Sequence, residues 1–74
     1  MSKENKLASN IKKYRKKLNI SQDKLSKLSD VTYNTIIKIE SGKNKNPTIK
    51  TLTKIANALG VSVDELIKRG NKKS

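Results

Sequence analysis

The chain has 74 residues and carries 18 Lys and Arg against six Asp and Glu, which gives a net charge of +12 at pH 7. It contains no Cys and no His, which excludes a disulfide framework, a thiolate zinc site and the commonest general base. The six carboxylates are scattered along the chain, so an active site built on paired carboxylates is not expected. These features predict one small binding domain with a polyanionic partner, and no cofactor, metal or enzymatic activity.

No apolar run is long enough to span a membrane, and the first ten residues lack the hydrophobic region of a signal peptide. We therefore expect a protein of the cytoplasm with no membrane partner. A domain of this size also has little room for a cleft, so no small-molecule ligand is expected.

The first predicted helix runs roughly from Asn5 to Leu18, and Asn19 is suited to end it in the left-handed conformation. One apolar stripe recurs along it at helical spacing, formed by Leu7, Ile11, Tyr14 and Leu18. Lys12, Lys13 and Lys16 lie opposite this stripe, and we interpret Lys12 and Lys13 as a solvated face that contributes attraction at long range.

Two short helices follow, predicted from Gln22 to Ser29 and from Tyr33 to Ser41. Each has an N-cap residue, Ser21 and Thr32 respectively. Within the first of them, Leu25 and Leu28 are expected to face inward. Only residues 29–32, from the last residue of one helix to the cap of the next, connect the two helices, so the helices must cross at a large angle. This spacing predicts a helix-turn-helix unit.

The C-terminal part of the chain predicts two more helices. Thr48 caps a fourth helix, which Gly60 ends. Its apolar face is formed by Ile49, Leu52, Ile55, Ala56 and Leu59. Ser62 and Glu65 have the spacing of a capping box for a fifth helix that reaches about Arg69. The sequence thus predicts an all-α fold of five helices, with one domain over residues 1–69 and a flexible basic tail over residues 70–74.

Residues 21–42, SQDKLSKLSDVTYNTIIKIESG, resemble the helix-turn-helix of the phage Cro/C1-repressor family, also called the xenobiotic-response-element (XRE) type. The supporting positions are Ser21-Gln22, Leu25-Ser26, Val31-Thr32, Thr35-Ile36 and Ile39-Glu40-x-Gly42, and downstream Pro47, Leu52, Ile55-Ala56, Ala58-Leu59 and Val61-Ser62-x-x-Glu65-Leu66. The resemblance implies a compact lambda-repressor-like fold and a transcriptional regulator that binds double-stranded DNA, such as a small bacterial or phage repressor or controller protein.

The sequence departs from the family pattern at two positions. Ser26 stands where the family usually has Ala, and it is small enough for the same close helix crossing. Asp30 stands where the family usually has Gly, because the turn requires a positive φ. Asp adopts that conformation at some cost, so we expect Asp30→Gly to stabilise the fold.

The helical period places one arc of residues on the third helix opposite its core arc of Thr35, Ile36 and Ile39. In the family that this chain resembles, such an arc enters the major groove. Its candidate base contacts are Tyr33, Asn34, Ile37 and Lys38. Asn34 can pair with adenine, Lys38 can reach guanine or a phosphate, and Ile37 can contact a thymine methyl. Alternatively, Ile37 is an ordinary exposed residue and Tyr33 merely covers the turn.

Other residues would fix the protein on the DNA backbone. Gln22 resembles the family residue that meets the backbone at the start of the second helix. The assigned phosphate contacts are Gln22, Thr32, Ser41, Lys43, Asn44 and Lys45, and the same role stays open for Lys27 and for the lysines of the first helix. The resemblance also implies a structural ion pair between Arg15 and Glu40, which would clamp the first helix to the third.

A single helix-turn-helix reads only a few base pairs, which favours a homodimer on an inverted repeat. Val63, Ile67 and Ile49 are candidates for the dimer surface, although the sequence does not separate an interface from the core here. The alternative function is an antitoxin-type or protein-interaction module on the same fold, with weak or non-specific DNA binding.

Overall fold

The computed structural model describes residues 6–67, and these residues form five α-helices and no strand. The helices are α1 (Lys6–Lys17), α2 (Gln22–Ser29), α3 (Tyr33–Glu40), α4 (Ile49–Leu59) and α5 (Val63–Ile67). The predicted all-α fold class is therefore confirmed, with boundaries close to those expected. The expected continuation of the fifth helix to Arg69 and the tail over residues 70–74 lie outside the described residues.

Side-chain caps begin four of the five helices. Ser21, Thr32 and Thr48 each accept a hydrogen bond from the backbone N–H three residues further on, at 3.0, 3.3 and 3.2 Å. At α5 the capping box is reciprocal. The Glu65 N–H donates to Ser62 Oγ at 3.1 Å, and the Ser62 N–H donates to Glu65 Oε1 at 3.0 Å. Each such cap stabilises its helix by about 1 kcal/mol, which matters for helices this short.

Two non-glycine residues end helices in the left-handed conformation. Asn19 follows α1 with a φ of 59°, and Asp30 follows α2 with a φ of 60°. The Asp30 N–H donates to the Ser26 carbonyl oxygen, which satisfies the last turn of α2. Asp30 thus makes the turn that the family usually assigns to Gly, as expected.

The core receives at least one fully buried side chain from every helix. These side chains are Ile11, Leu25, Ile36, Ile39, Ile55 and Leu66. In this core α1 packs against α3 and α5, while α4 packs against α2 and α5. Asn10 ties α1 to α5 because its Nδ2 donates to the Leu66 carbonyl oxygen at 2.8 Å. Helix α3 is therefore held from one side by α1 and α2, which leaves its other side open.

The inward orientation expected for Leu28 is wrong, because its side chain is 53% exposed. Helix α2 buries a narrow stripe of Leu25 and the small residues Ser26 and Ser29 instead. The two serine hydroxyls donate to carbonyl oxygens within α2, at 2.7 Å each, so both can lie against neighbouring helices without an unpaired polar group. With these residues facing the core, Leu28 is rotated toward solvent.

In the apolar stripes predicted for α1 and α4, the residue at one end of each stripe is exposed to solvent. Leu18 is exposed because α1 ends at Lys17 and the chain reverses at Asn19, so Leu18 no longer continues the helix. Ile49 is 68% exposed because it is the first residue of α4, where no neighbouring helix covers it. The helical period was correct in both cases, and only the extent of each buried stripe was overestimated.

Candidate nucleic-acid interface

Helix α3 presents its predicted DNA-reading arc on the surface. Tyr33 is half exposed, Asn34 and Lys38 are exposed, and Ile37 between them is partly buried. The structure thus brings the four candidate base contacts together on one face. On the opposite face Ile36 and Ile39 are fully buried, whereas Thr35, expected on the same arc, is only partly buried.

The N-terminus of α3 is fixed by a pair of threonine hydroxyls. Thr32 Oγ1 accepts from the Thr35 N–H at 3.3 Å and shares a second hydrogen bond with Thr35 Oγ1 at 2.8 Å. Thr32, a candidate phosphate contact, is exposed at this end of the helix. The cap therefore holds Tyr33 and Asn34 in the first turn of a rigid helix.

The basic loop after α3 folds back on the end of the same helix. The Asn44 N–H donates to the Lys38 carbonyl oxygen at 3.0 Å. Ser41 Oγ donates to that same carbonyl oxygen at 3.1 Å and accepts from the Lys43 N–H at 3.4 Å. Lys43 and Lys45 remain exposed. Four candidate phosphate contacts thus lie next to the reading arc, on a loop fixed by backbone hydrogen bonds.

Arg15 and Glu40 form a bidentate ion pair between α1 and α3. Arg15 Nε donates to Glu40 Oε2 at 2.8 Å, and Nη2 donates to Oε1 at 3.0 Å. The remaining guanidinium nitrogen, Nη1, donates to the Ile20 carbonyl oxygen at 2.9 Å. The Glu40 side chain is almost fully buried, and its hydrogen bond raises the pKa of Arg15. The expected partners are therefore in contact, and all the polar atoms of the carboxylate are engaged.

Sequence reasoning missed a third member of this network. Gln22 Nε2 donates to Glu40 Oε1 at 3.0 Å, so the first residue of α2 is joined to the last residue of α3. The two residues are 18 positions apart and lie on different helices, and no periodicity in the sequence links them. Gln22 therefore reaches the candidate interface with one amide N–H already committed and its carbonyl oxygen and second N–H available.

The charge of this face is positive. Between residues 31 and 63 the only acidic side chain is Glu40, which is buried against Arg15. On α2, Asp23 contacts Lys27 at 3.2 Å, an exposed pair. Asp30, the other exposed carboxylate of the helix-turn-helix, lies 3.7 Å from the Lys54 ammonium. A surface on which cations outnumber the exposed carboxylates, each of which has a lysine beside it, is suited to phosphate oxygens.

Comparison with known proteins decides the family. The family model described as helix-turn-helix matches residues 11–66, which is most of the chain. This chain belongs to the helix-turn-helix family of the XRE type. Its curated relatives include the control protein C.SmaI of Serratia marcescens, which is 38% identical over 63 residues, covering 85% of this chain and 74% of the relative.

Two solved structures of such domains match the fold. The N-terminal DNA-binding domain of SinR from Bacillus subtilis has a TM-score of 0.86 and 29% identity, covering 93% of this chain and all of that one. The P22 c2 repressor, in complex with a synthetic operator, has a TM-score of 0.76 and 32% identity, covering 84% of this chain and 92% of that one. The protein is a helix-turn-helix DNA-binding regulator, and its family and fold are those of transcriptional regulators.

The three candidate dimer residues differ in how far they are exposed to solvent. Ile49 and Ile67 are exposed, at 68% and 46%, whereas Val63 is partly buried against the core. Ile67 also lines an open concavity on α5 with Asp64 and Glu65. The exposed pair is therefore available to another molecule, and Val63 contributes mainly to the domain itself.

Residues 6–67 contain neither a cluster of metal-ligating side chains nor a membrane-spanning helix. Within that range no group of three or more His, Cys, Asp and Glu side chains is arranged to hold a metal ion. None of the helices described there is both long and apolar enough to cross a membrane.

Proposed function

We propose that this regulator binds a specific inverted-repeat operator as a homodimer, and that it acts as a small repressor or controller protein. The observation that carries the proposal is the exposed arc of α3, in which a rigid, capped helix presents an amide, an apolar side chain and an ammonium group together. Such a mixture can distinguish adenine, thymine and guanine by their edges in the major groove, whereas a purely cationic face could favour only guanine.

Each residue of the arc has a role that fits its chemistry. Asn34 pairs with the N6 and N7 atoms of an adenine, and Lys38 reaches the O6 or N7 of a guanine. Ile37 is partly buried, so only part of its side chain projects, and that part contacts a thymine methyl group. Tyr33, at the start of the helix, contacts a base edge or a phosphate at the rim of the groove.

Phosphate contacts would fix the register of α3 in the groove. The residues assigned to them are Gln22, Thr32, Ser41, Lys43, Asn44 and Lys45. The positive loop beside α3 and the backbone bonds that hold it support this assignment, because a fixed donor loses less entropy when it binds. Gln22 would use the amide N–H that Glu40 leaves unoccupied.

Dimerisation follows from the limited reach of one domain. One recognition helix contacts only a few base pairs, so two copies on half-sites about one helical turn apart are needed for a specific operator. The exposed side chains of Ile49 and Ile67 support a surface for the second copy. A regulator of this kind acts where the DNA is, which in a bacterium is the cytoplasm.

Selection of bound duplexes from a random pool tests the proposal. We expect an enriched palindrome whose half-sites are about one turn apart, and binding that withstands competitor DNA at physiological salt. A pool without an enriched palindrome, or binding that competitor DNA abolishes, would contradict specific readout. That result would favour the protein-interaction module as the function.

A further inference from the structure

A basic concavity lies between α1 and the end of α3. Its α1 wall carries Lys12, Lys13 and Lys16, and its α3 wall carries Ser41 and the buried carboxylate of Glu40. We call it the α1–α3 concavity. Lys12 and Lys13 are adjacent and Lys16 lies one turn further along the helix, and all three line the same opening, so they form a cluster.

The positive charge of this cluster is not neutralised within the described part of the chain. Over residues 6–67 none of its three lysines lies within ion-pair distance of a carboxylate. Glu40 also lines the concavity, but its oxygens already accept from Arg15 and Gln22. Lys12 and Lys16 are also four residues apart on one helix, where like charges destabilise each other. An anion in the concavity would relieve this repulsion.

Ser41 connects the concavity to the DNA-reading arc. It lines the concavity, and it also continues the arc of Ile37 and Lys38 at the next helical turn. The lysines of α1 therefore border the proposed interface instead of forming a separate solvated face. This placement changes the interpretation of Lys12 and Lys13, which the helical period of α1 alone had assigned to solvent.

We infer that the α1–α3 concavity binds a backbone phosphate of the same DNA duplex that α3 reads. The inference rests on the proposed function and extends the phosphate-binding surface from α2, α3 and the loop after α3 to α1. Ammonium groups on flexible stems suit a phosphodiester, which needs charge more than directional hydrogen bonds. Such contacts carry no sequence information, so they would strengthen binding to every sequence.

Lys16→Gln and Lys17→Gln provide a matched test. Both residues are exposed in the last turn of α1 and both changes remove one charge, but only Lys16 lines the concavity. The dissociation constant for the selected operator is measured across a salt series. For each protomer, we expect Lys16→Gln to reduce the slope of log K against log salt by about 0.9, and Lys12→Gln/Lys16→Gln to reduce it further. Lys17→Gln should leave the slope close to that of the wild type.

The outcomes separate this inference from the proposed function. If the wild type selects an operator but the Lys16 and Lys17 variants have equal slopes, only the inference fails, and the cluster acts at long range or on an acidic protein. If the wild type selects no operator, the proposed function fails and the inference fails with it. Circular dichroism melting of each variant should show an intact fold, because the substituted side chains are exposed.

Discussion

Asn34 is the residue that tests direct base readout. Its side chain is exposed in the first turn of α3 and makes no hydrogen bond or ion pair within residues 6–67, so Asn34→Ala should leave the melting temperature nearly unchanged. We expect the variant to lose about 1–3 kcal/mol of binding free energy on the operator and to discriminate less at one base position. Binding titrations on the operator and on its single-base variants measure both effects.

Lys43→Ala is the control for this readout. Lys43 is exposed on the loop beside α3, and a phosphate contact there should weaken binding to all sequences alike. Equal losses on operator and random DNA are therefore expected for Lys43→Ala. The same equal losses for Asn34→Ala would exclude its role in specificity.

Asp30 tests the backbone geometry of the turn between α2 and α3. Its φ of 60° and ψ of 37° are left-handed, a conformation that a Cβ atom disfavours. Its carboxylate lies 3.7 Å from the Lys54 ammonium, but the Asp30 side chain is almost fully exposed, so this pair contributes little. Relief of the backbone strain should therefore exceed the loss of the pair. We expect Asp30→Gly to raise the free energy of unfolding by about 0.5–1 kcal/mol.

Asp30→Ala is the matched variant, because it loses the same contact with Lys54 but keeps a Cβ atom at positive φ. It should destabilise the protein while Asp30→Gly stabilises it. Thermal melts measure both, and a gain of 0.5–1 kcal/mol corresponds to roughly 2–8 °C in a domain of this size. Two variants with equal losses would show that the turn is not strained.

At the scale of elements, α1 and α3 are joined by the ion pair of Arg15 and Glu40. Removing one partner leaves the other charge buried and unpaired, so Arg15→Met and Glu40→Leu should each cost about 3–5 kcal/mol. The double variant should cost clearly less than the sum. Urea unfolding of the four proteins measures the coupling, and Lys17→Met, an exposed change on the same helix, should be nearly neutral. If the losses of the two single variants simply added up in the double variant, the two side chains would not stabilise each other, and the ion pair would not join α1 to α3.

The pH dependence of this clamp follows from the direction of the pKa shift. The hydrogen bond to Glu40 raises the pKa of Arg15 in the folded state above its already high value in the unfolded chain. A raised pKa adds stability below the unfolded pKa and loses it only as the pH rises through the folded one. The contribution of Arg15 should therefore stay constant across neutral and moderately alkaline pH.

The helices themselves follow from local signals in the sequence. Ser21, Thr32 and Thr48 were identified as caps from residue type and position, and each accepts the expected backbone hydrogen bond. The exposure of Leu28 could not be predicted in this way. Neighbouring helices pack against the side of α2 that carries the small residues Ser26 and Ser29, and this leaves Leu28 in solvent. The choice of side depends on how the helices pack together and cannot be read from α2 alone.

The candidate site shows the same division between local and spatial information. The helical period identified the reading arc, because every residue of the arc lies on one short helix. It did not identify the bond between Gln22 and Glu40, nor the position of Lys16 beside Ser41, since each joins residues from two helices. Contacts of that kind depend on the crossing of helices, which a single sequence specifies only through the resemblance to a known fold.

The net charge of +12 concerns the molecule as a whole, and it should make added salt stabilise the folded protein but weaken its binding to DNA. The described residues extend over only 34 × 23 × 23 Å. The Debye length is about 30 Å at 0.01 M salt, so nearly all the positive charges repel one another there, but only about 3 Å at 1 M. The compact state brings these charges closer together than the unfolded chain does, so screening should favour it.

We therefore expect the melting temperature of the free protein to rise as NaCl increases from about 0.01 to 0.5 M, a range over which the Debye length falls severalfold. Over the same range the affinity for the operator should fall, because salt cations compete with the ammonium groups of the protein for the DNA phosphates. Calorimetric melts and binding titrations in the same buffers measure the two trends. Sucrose in place of NaCl is the control, since it stabilises folded proteins without screening charge and should leave the affinity for DNA nearly unchanged. A melting temperature that fell with added NaCl would show that repulsion among the lysines does not lower the stability of the fold. A phosphate partner would then not be needed to reduce that repulsion.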